Sequence, residues 1–545
     1  MSRRAGLLAG LLIALLSACA DDRRPAAVAD SRPTSESKAP LAGSRPNIII
    51  ILADDMGWSD LGAYGSEIPT PNIDRLAREG LQFTQFTNTS KCFPSRASLM
   101  TGLYAQQVGK DKSSNTRMVG GTTFAESLRR AGYRTYMVGK HHGIENPIER
   151  GFDHYIGLRD GAVNYFNPSA QARPGEPEPA RKEKDARVWC FEKNCVKGFM
   201  PDNPKFYATD AFTDWSLAYL REAIADPAPY LLYLAYNAPH DPLMAPEEER
   251  ALFRGKYDRG YARAANQRWA NLRRLGLIDA RYPRPSSMHR DWDKMTSAER
   301  ADQAVRMEIY AAMIHRLDAQ IGRIIAFLEK NNALDNTLIL FMSDNGSSAE
   351  LVLKKGHEIG AQYPVGSVGR WASLGGDWAE VSNTPFRYWK NDSFQGGTAS
   401  PMIVHWPRGL GKTNRRVDAP SNLIDIHPTL LALAGLSYIP VADATGRTPA
   451  LPGVSLLPLF EGQREVPRPR PIFNLWQFSR SVRDGDWKLV SRVTEGPAEA
   501  GRWQLYNLAT DRTETHDLAA QRPDIVARLA REYDLWLAEV SKKPN

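Results

Sequence analysis

The sequence predicts an α/β protein. It is expected to hold a large, mixed, mostly parallel sheet sandwiched by helices, with a small C-terminal antiparallel sheet plus helix. Three observations lead there. Apolar runs without alternation recur along the chain, the first being Ile48-Ile49-Ile50-Ile51-Leu52, as in strands buried on both faces. Amphipathic helical patterns stand between these runs, the order that builds a doubly wound sheet. Several of the runs also empty into carboxylates, lysine or imidazoles, and ligands of open parallel sheets bind at the carboxyl ends of the strands.

Taken in chain order, the first nineteen residues read as a leader. Arg3-Arg4 precede a short apolar stretch over 7–16, too short to span a bilayer, and Leu16-Ser17-Ala18-Cys19 has the form of a bacterial lipobox. The expectation is export, cleavage before Cys19 and a lipid on its thiol, placing the protein in the bacterial cell envelope as a periplasmic lipoprotein. A plain signal peptide containing a cysteine is the alternative. Residues 20–45, rich in Ala, Pro, Ser and charge, read as a disordered tether.

The main body spans 46–466. A central strand is expected over 47–53. Thr70-Pro71-Asn72 offers an N-cap with proline at the first helical position, and Gly80 closes that helix. Pro94 opens a second helix through Met100, which puts Cys92 at its N-terminus. Strands follow over 133–138 and 230–235. A long helix over 307–330 carries Met313, Leu317, Ile321, Ile325 and Leu328 on one face. Strands over 337–342 and 402–404 complete the series. Two polar segments, 159–203 and 246–298, read as insertions over one face. The first contains Cys190 and Cys195, which in an oxidising compartment could close a small disulfide loop or stay as two free thiols. Trp189 and Trp215 are aromatics that either line a pocket or pack. From 467 to 545 the character changes to a subdomain. Asp484-Gly485-Asp486 marks a hairpin turn, 503–508 reads as a partner strand, and a helix runs over 523–537.

The chain has 545 residues, 42% hydrophobic, with a formal charge of +8. That excess suits an anionic substrate or a basic surface with no role. No zinc-finger spacing or nucleic-acid motif accompanies it, and no internal repeat is present.

The chemistry sits where the strands end. Asp54 and Asp55 follow the first strand, and Lys140, His141 and His142 follow the strand at 133–138. His240 and Asp241 follow the one at 230–235, and Asp344 and Asn345 the one at 337–342. Adjacent carboxylates raise each other's pKa or need a cation between them. Asp54, Asp55, Asp344 and Asn345 are an all-oxygen set, which selects calcium or magnesium over zinc. Cys92-Phe93-Pro94-Ser95-Arg96 adds a nucleophile and a fixed positive charge.

These residues resemble the sulfatases, in particular the arylsulfatases of the alkaline phosphatase superfamily. The resemblance covers 45–537. Its densest part is Arg45-Pro46-Asn47 through Gly102, which includes Thr70-Pro71-Asn72-Ile73-Asp74 and the Cys-x-Pro-Ser-Arg signature before Thr101-Gly102. It implies an alkaline phosphatase-like fold and hydrolysis of sulfate esters to an alcohol or phenol plus inorganic sulfate. It further implies that Cys92 is oxidised to formylglycine by a separate generating enzyme, whose hydrate supplies the nucleophile. Asp54, Asp55, Asp344 and Asn345 match the family's ligands for one Ca2+ ion.

The other roles carry over residue by residue. Arg96 holds the nucleophile, Lys140 and Lys390 contact sulfate oxygens, His142 accepts a proton, and His240 protonates the leaving oxygen. Asp344 is a second acceptor for the nucleophile's proton. A phosphodiesterase or phosphonate monoester hydrolase of the same superfamily is the alternative activity. A binding protein that kept only the fold is disfavoured, since no expected catalytic position is lost. The chain departs from the family pattern at His141, where tryptophan is usual, at Gly143, and at Gln395, where glutamate is usual. These neighbours are expected to shape the pocket, and His141 is a candidate substrate contact.

Overall fold

Isoleucine-rich segments lie at the centre of this molecule because both faces of the main sheet are covered. The computed structural model describes residues 40–545 except 183–185, 444–445, 478, 493–500 and 542–545, so the leader and residues 20–39 of the tether fall outside the described residues. Leu41 is buried, and its N–H donates to Glu461 Oε1 at 3.1 Å.

The sheet has ten strands: β1 (Asn47–Asp54), β2 (Leu81–Phe83), β3 (Arg134–Gly139), β4 (His154–Leu158), β5 (Val188–Phe191), β6 (Asn194–Lys197), β7 (Tyr230–Pro239), β8 (Thr337–Ser343), β9 (Met402–His405) and β10 (Arg415–Val417). Their spatial order is β10-β2-β9-β8-β1-β7-β3-β4-β5-β6. β8, β1, β7, β3 and β4 run parallel, whereas β9, β5 and β6 join antiparallel, so the sheet is mixed with a parallel centre. Every residue of β1 after Asn47 is buried. Ile49 and Ile51 enter one core layer, and Ile48, Ile50 and Leu52 the other, as the two-residue period of a strand requires.

Helices cover both faces. They include α1 (Pro71–Glu79), α2 (Cys92–Thr101), α3 (Phe124–Arg130), α4 (Ala208–Ala225), α5 (Ser297–Lys330) and α6 (Ile426–Ala434). Thr70 does not cap α1 as expected, because its hydroxyl donates to Asp74 Oδ1 at 2.9 Å. The cap comes instead from Asp318 on α5, which accepts the N–H groups of Asn72 and Ile73 at 3.1 and 2.8 Å. α5 also begins ten residues earlier than its apolar stripe predicts. A capping box between Thr296 and Glu299 starts it inside the segment read as polar insertion.

The segment over 159–203 does more than lie on a face. Its β5–β6 hairpin extends the sheet edge, and Cys190 and Cys195, opposite one another in register, form a disulfide. Trp189 is fully buried among Phe199, Phe206, Phe212 and Trp215, so both tryptophans pack.

The C-terminal part holds a four-stranded antiparallel sheet of β11 (Ile472–Trp476), β12 (Ser479–Asp484), β13 (Trp487–Arg492) and β14 (Gln504–Asn507), with α7 (Pro523–Ser541) against it. The expected hairpin turn is present, with Gly485 at φ 56°. β11 carried no signal in the sequence reading.

Candidate active site

The parallel centre of the sheet delivers its strand ends to one place. Asp54 is the last residue of β1 and Asp55 the next. Lys140 directly follows β3, His240 directly follows β7, and Asp344 directly follows β8. α2 begins at Cys92, with Pro94 in its first turn, and Cys92, Phe93, Ser95 and Arg96 are all buried. The structure therefore brings Cys92, Arg96, Lys140, His142, His240, Lys390, Asp54, Asp55, Asp344 and Asn345 into one neighbourhood.

Below the surface is a layer of charge. Lys140 Nζ bonds directly to Asp54 Oδ2. Arg96 binds Asp344 Oδ2 through Nε at 3.0 Å and Nη2 at 2.8 Å, lies 3.5 Å from Asp54 Oδ1, and donates to the Lys140 carbonyl at 2.9 Å. Lys390 Nζ is 2.9 Å from Asp55, and Asn345 Nδ2 donates to Asp55 Oδ1 at 2.6 Å. Asp55 holds a left-handed backbone with φ 64°.

Above this layer is a cavity of 230 Å³ whose lining includes Cys92, His142, His240 and Lys390. Lining residues that carried no individual role in the sequence reading include Lys91, Ser114, Asn115, Asp160, Arg187 and Glu350. His141 is not among the lining residues. It is buried, its Nε2 is 3.7 Å from Glu145 Oε1, and neither ring nitrogen has a hydrogen-bond partner. The expected substrate contact there is replaced by a place in the supporting wall. Gln395 is likewise buried, and its N–H donates to Glu514 Oε2 at 2.7 Å.

The surroundings shift the two histidines of the cavity in opposite directions. Burial, and then the neighbouring Lys140 and Arg96 charges, push the His142 pKa well down, so its ring is neutral. For His240 burial works against the charge, but Asp55 outweighs it and the pKa rises. Its Nδ1 faces the Asp241 backbone oxygen at 2.6 Å and Oδ1 at 2.8 Å, while Nε2 points to Asp55 Oδ2 at 3.6 Å. Burial would raise Asp241, yet His240 brings it down to about 2. Asp241 was legible as part of the motif, but not as the group that orients the imidazole. His142 packs edge-on against Phe93 at 5.7 Å between centroids, and a Cβ at Gly161 would stand 2.4 Å from its Nε2.

The carboxylate layer can hold a cation. Asp54 Oδ1 and Asn345 Oδ1 are buried without a hydrogen-bond partner, Asp54 Oδ1 having only the Arg96 guanidinium at 3.5 Å, so both oxygens have lone pairs to offer a cation. Burial, then Asp54, pushes the Asp344 pKa up, while Lys140, His240 and Arg96 overcome burial to hold Asp54 down. Asp54, Asp55 and His240 place ligand atoms within 4.8 Å of one another. His240 is engaged through Nδ1 with Asp241, and hard oxygen donors suit calcium or magnesium, which favours the oxygen set of Asp54, Asp55, Asp344 and Asn345 over an imidazole ligand.

Comparison with known proteins agrees with this arrangement. Residues 46–436 match the family model described as Sulfatase. The chain is 33% identical over 440 residues to an arylsulfatase of Klebsiella aerogenes, covering 76% of this chain and 91% of that protein. It is 31% identical over 536 residues to an uncharacterized sulfatase of Schizosaccharomyces pombe, covering 91% and 94%. Among solved structures, Ps i-CgsB in complex with k-i-k-neocarrahexaose superposes with a TM-score of 0.65 at 27% identity, covering 92% of this chain and 94% of that one.

Proposed function

Because this chain belongs to the sulfatase family and is a sulfuric ester hydrolase, we propose that it works through formylglycine made from Cys92 and a calcium ion held by Asp54, Asp55, Asp344 and Asn345. The observation that carries the reading is the shared cavity. Cys92 meets a neutral His142, a charged His240 and the Lys390 ammonium there, above a carboxylate layer with two unpartnered oxygens. Formylglycine supplies a hydrated carbonyl, one hydroxyl to attack sulfur and a second through which sulfate can be expelled. Calcium supplies positive charge beside the sulfate oxygens.

The chain's own residues do the rest. Arg96, fixed on Asp344 and Asp54, holds the side chain at position 92. Lys140 and Lys390 place ammonium groups where sulfate oxygens gain charge as the S–O bond breaks. His240, protonated and aimed through Nε2, donates to the departing alkoxide or phenoxide oxygen. His142 is neutral and takes a proton from the position-92 side chain, with Asp344 as a second acceptor. Phe93, which lines the cavity, is backed by Trp476, their rings meeting edge-on at 5.2 Å.

Peptide mass spectrometry of active protein tests the modification. Cys92 found wholly as thiol in protein that releases sulfate overturns it, as does full turnover by Cys92→Ala. Maturation requires a formylglycine-generating enzyme as partner. Export with a lipid on Cys19, to the periplasmic face of the envelope, is supported by the lipobox and by the Cys190–Cys195 disulfide, which suits an oxidising compartment. Cys19→Ser should release the protein from the membrane fraction, and retention there would sink the anchor.

A further inference from the structure

We propose that Glu350 is a specificity-determining residue that makes the cavity select a singly charged ester over doubly charged ligands. The inference rests on the sulfatase reading above and deepens it. Glu350 lies in the irregular segment after β8, and its carboxylate lines the same cavity as Cys92, His142, His240 and Lys390. The side chain is 33% exposed. Lys91 Nζ lies 2.6 Å from Oε1, Lys390 Nζ 3.2 Å from Oε2, and Asn391 Nδ2 donates to Oε1 at 3.1 Å. A carboxylate is a surprising wall for an anion site, because it takes up part of the charge of two lysines that would otherwise face the ligand.

The chemistry of the ligands gives it a use. A sulfate monoester carries one negative charge, while a phosphate monoester near neutral pH carries about 1.5 to 2. The product, inorganic sulfate, carries two. Lys390 already shares its ammonium with Asp55, and Glu350 takes up a further part of that charge from a second side. Fixed like charge in the wall penalises each further unit of charge on a ligand, which discriminates by repulsion rather than by fit. The same repulsion speeds the exit of sulfate. Lys91 opposes it from the residue before Cys92, held over the Trp476 ring at 5.7 Å.

The test uses mature full-length protein with three esters of one phenol: the sulfate, the phosphate monoester and the methyl phosphodiester. Inorganic sulfate serves as competitive inhibitor. Glu350→Gln keeps the hydrogen bonds from Lys91 and Asn391 and removes the charge. The expected result is an inhibition constant for inorganic sulfate about tenfold tighter and a phosphate-monoester to sulfate ratio of kcat/KM about tenfold higher, while the singly charged diester keeps its ratio to sulfate within twofold. Lys91→Met, outside the catalytic set, should move the inhibition constant and the monoester ratio the opposite way, and it serves if the glutamine variant does not fold. Three esters changing by one common factor, with an unchanged inhibition constant relative to KM, would show that Glu350 only props Lys390 and would overturn the proposal. Wild-type protein that releases no phenol from the sulfate fails the parent reading instead.

Discussion

Replacing Lys390 with methionine separates two jobs that its ammonium could do. The side chain is 1% exposed, with Nζ 2.9 Å from Asp55 and 3.2 Å from Glu350. Burial lowers its pKa, but Asp55 and Glu350 outweigh burial and hold it well above the usual lysine value, so the charge is permanent. Methionine keeps the unbranched shape and deletes the charge. Removing one partner of a buried ion pair typically costs about 3–5 kcal/mol. The lower end applies here, because Glu350 is partly exposed and keeps Lys91 at 2.6 Å. If the ammonium also meets sulfate oxygens in the transition state, losing that donor should lower kcat by about 10²–10³, or roughly 2.7–4 kcal/mol. Thermal unfolding and steady-state release of phenol from an aryl sulfate read the two effects separately. Lys390→Arg should recover most of the stability, since the charge returns, but little of the rate, since a planar fork does not present the same point charge. The reasoning fails if Lys390→Met is destabilised as described yet keeps kcat within threefold of wild type. Lys390 would then be only a counter-ion to Asp55.

Four further outcomes are expected. Gly161→Ala drives a methyl into the His142 ring, 2.4 Å from Nε2, so turnover should fall at least tenfold with little change in unfolding temperature; unchanged turnover refutes a role for the ring's position. His427 is fully buried between the Thr101 carbonyl and Ser127, and burial brings its pKa from 6.5 to about 4. The folded state thus prefers the neutral ring, so this stability is complete above pH 6.5 and is lost as pH falls toward 4, at about 1.4 kcal/mol per pH unit. Urea unfolding at pH 7 and pH 4.5 should show a steeper loss for wild type than for His427→Gln, and equal losses would refute it. Replacing Cys190 and Cys195 together by alanine should cost about 2 kcal/mol in denaturant unfolding, the loop-entropy value for so short a loop, without changing KM. Chelation of calcium should abolish sulfate release and lower the unfolding temperature, and added calcium should restore both; magnesium restoring activity equally well would count against calcium.

Much of the centre was legible because its strands are buried on both faces, where composition alone marks them. Ile48 to Leu52 could be read without knowing a single neighbour, and the residues just past such runs (Asp55, Lys140, His240, Asp344) follow from the geometry of an open parallel sheet. What the sequence hid are contacts between distant segments. The cap of α1 by Asp318 lies 246 residues away, and no local pattern announces it. The early start of α5 escaped because its first turns face solvent and lack the apolar stripe. The β5–β6 hairpin was masked by its polar, proline-rich surroundings. Glu350 sits in an irregular loop, where one acid among small polar residues carries no periodic signal, and its meaning appears only when Lys91 and Lys390 converge on it. His141 misled in the opposite direction: an unusual residue beside a site residue suggested contact, but alternation past the strand end turns it into the wall.

The closure of the molecule over Cys92 has a consequence for its manufacture. Cys92 is 2% exposed, and Lys390, which lines the same cavity, and Trp476, whose ring packs on the adjacent Phe93, leave the ribosome long after it does. While the chain is emerging, the segment around the cysteine is not yet folded, and once the carboxy-terminal sheet docks the thiol is approached only through the 230 Å³ cavity. If a separate enzyme modifies that sulfur, as proposed above, its access competes with the polypeptide's own completion. On the formylglycine reading proposed above, slowing the last stage of assembly would widen the interval for modification, and hastening it should leave more of the protein with an unmodified thiol.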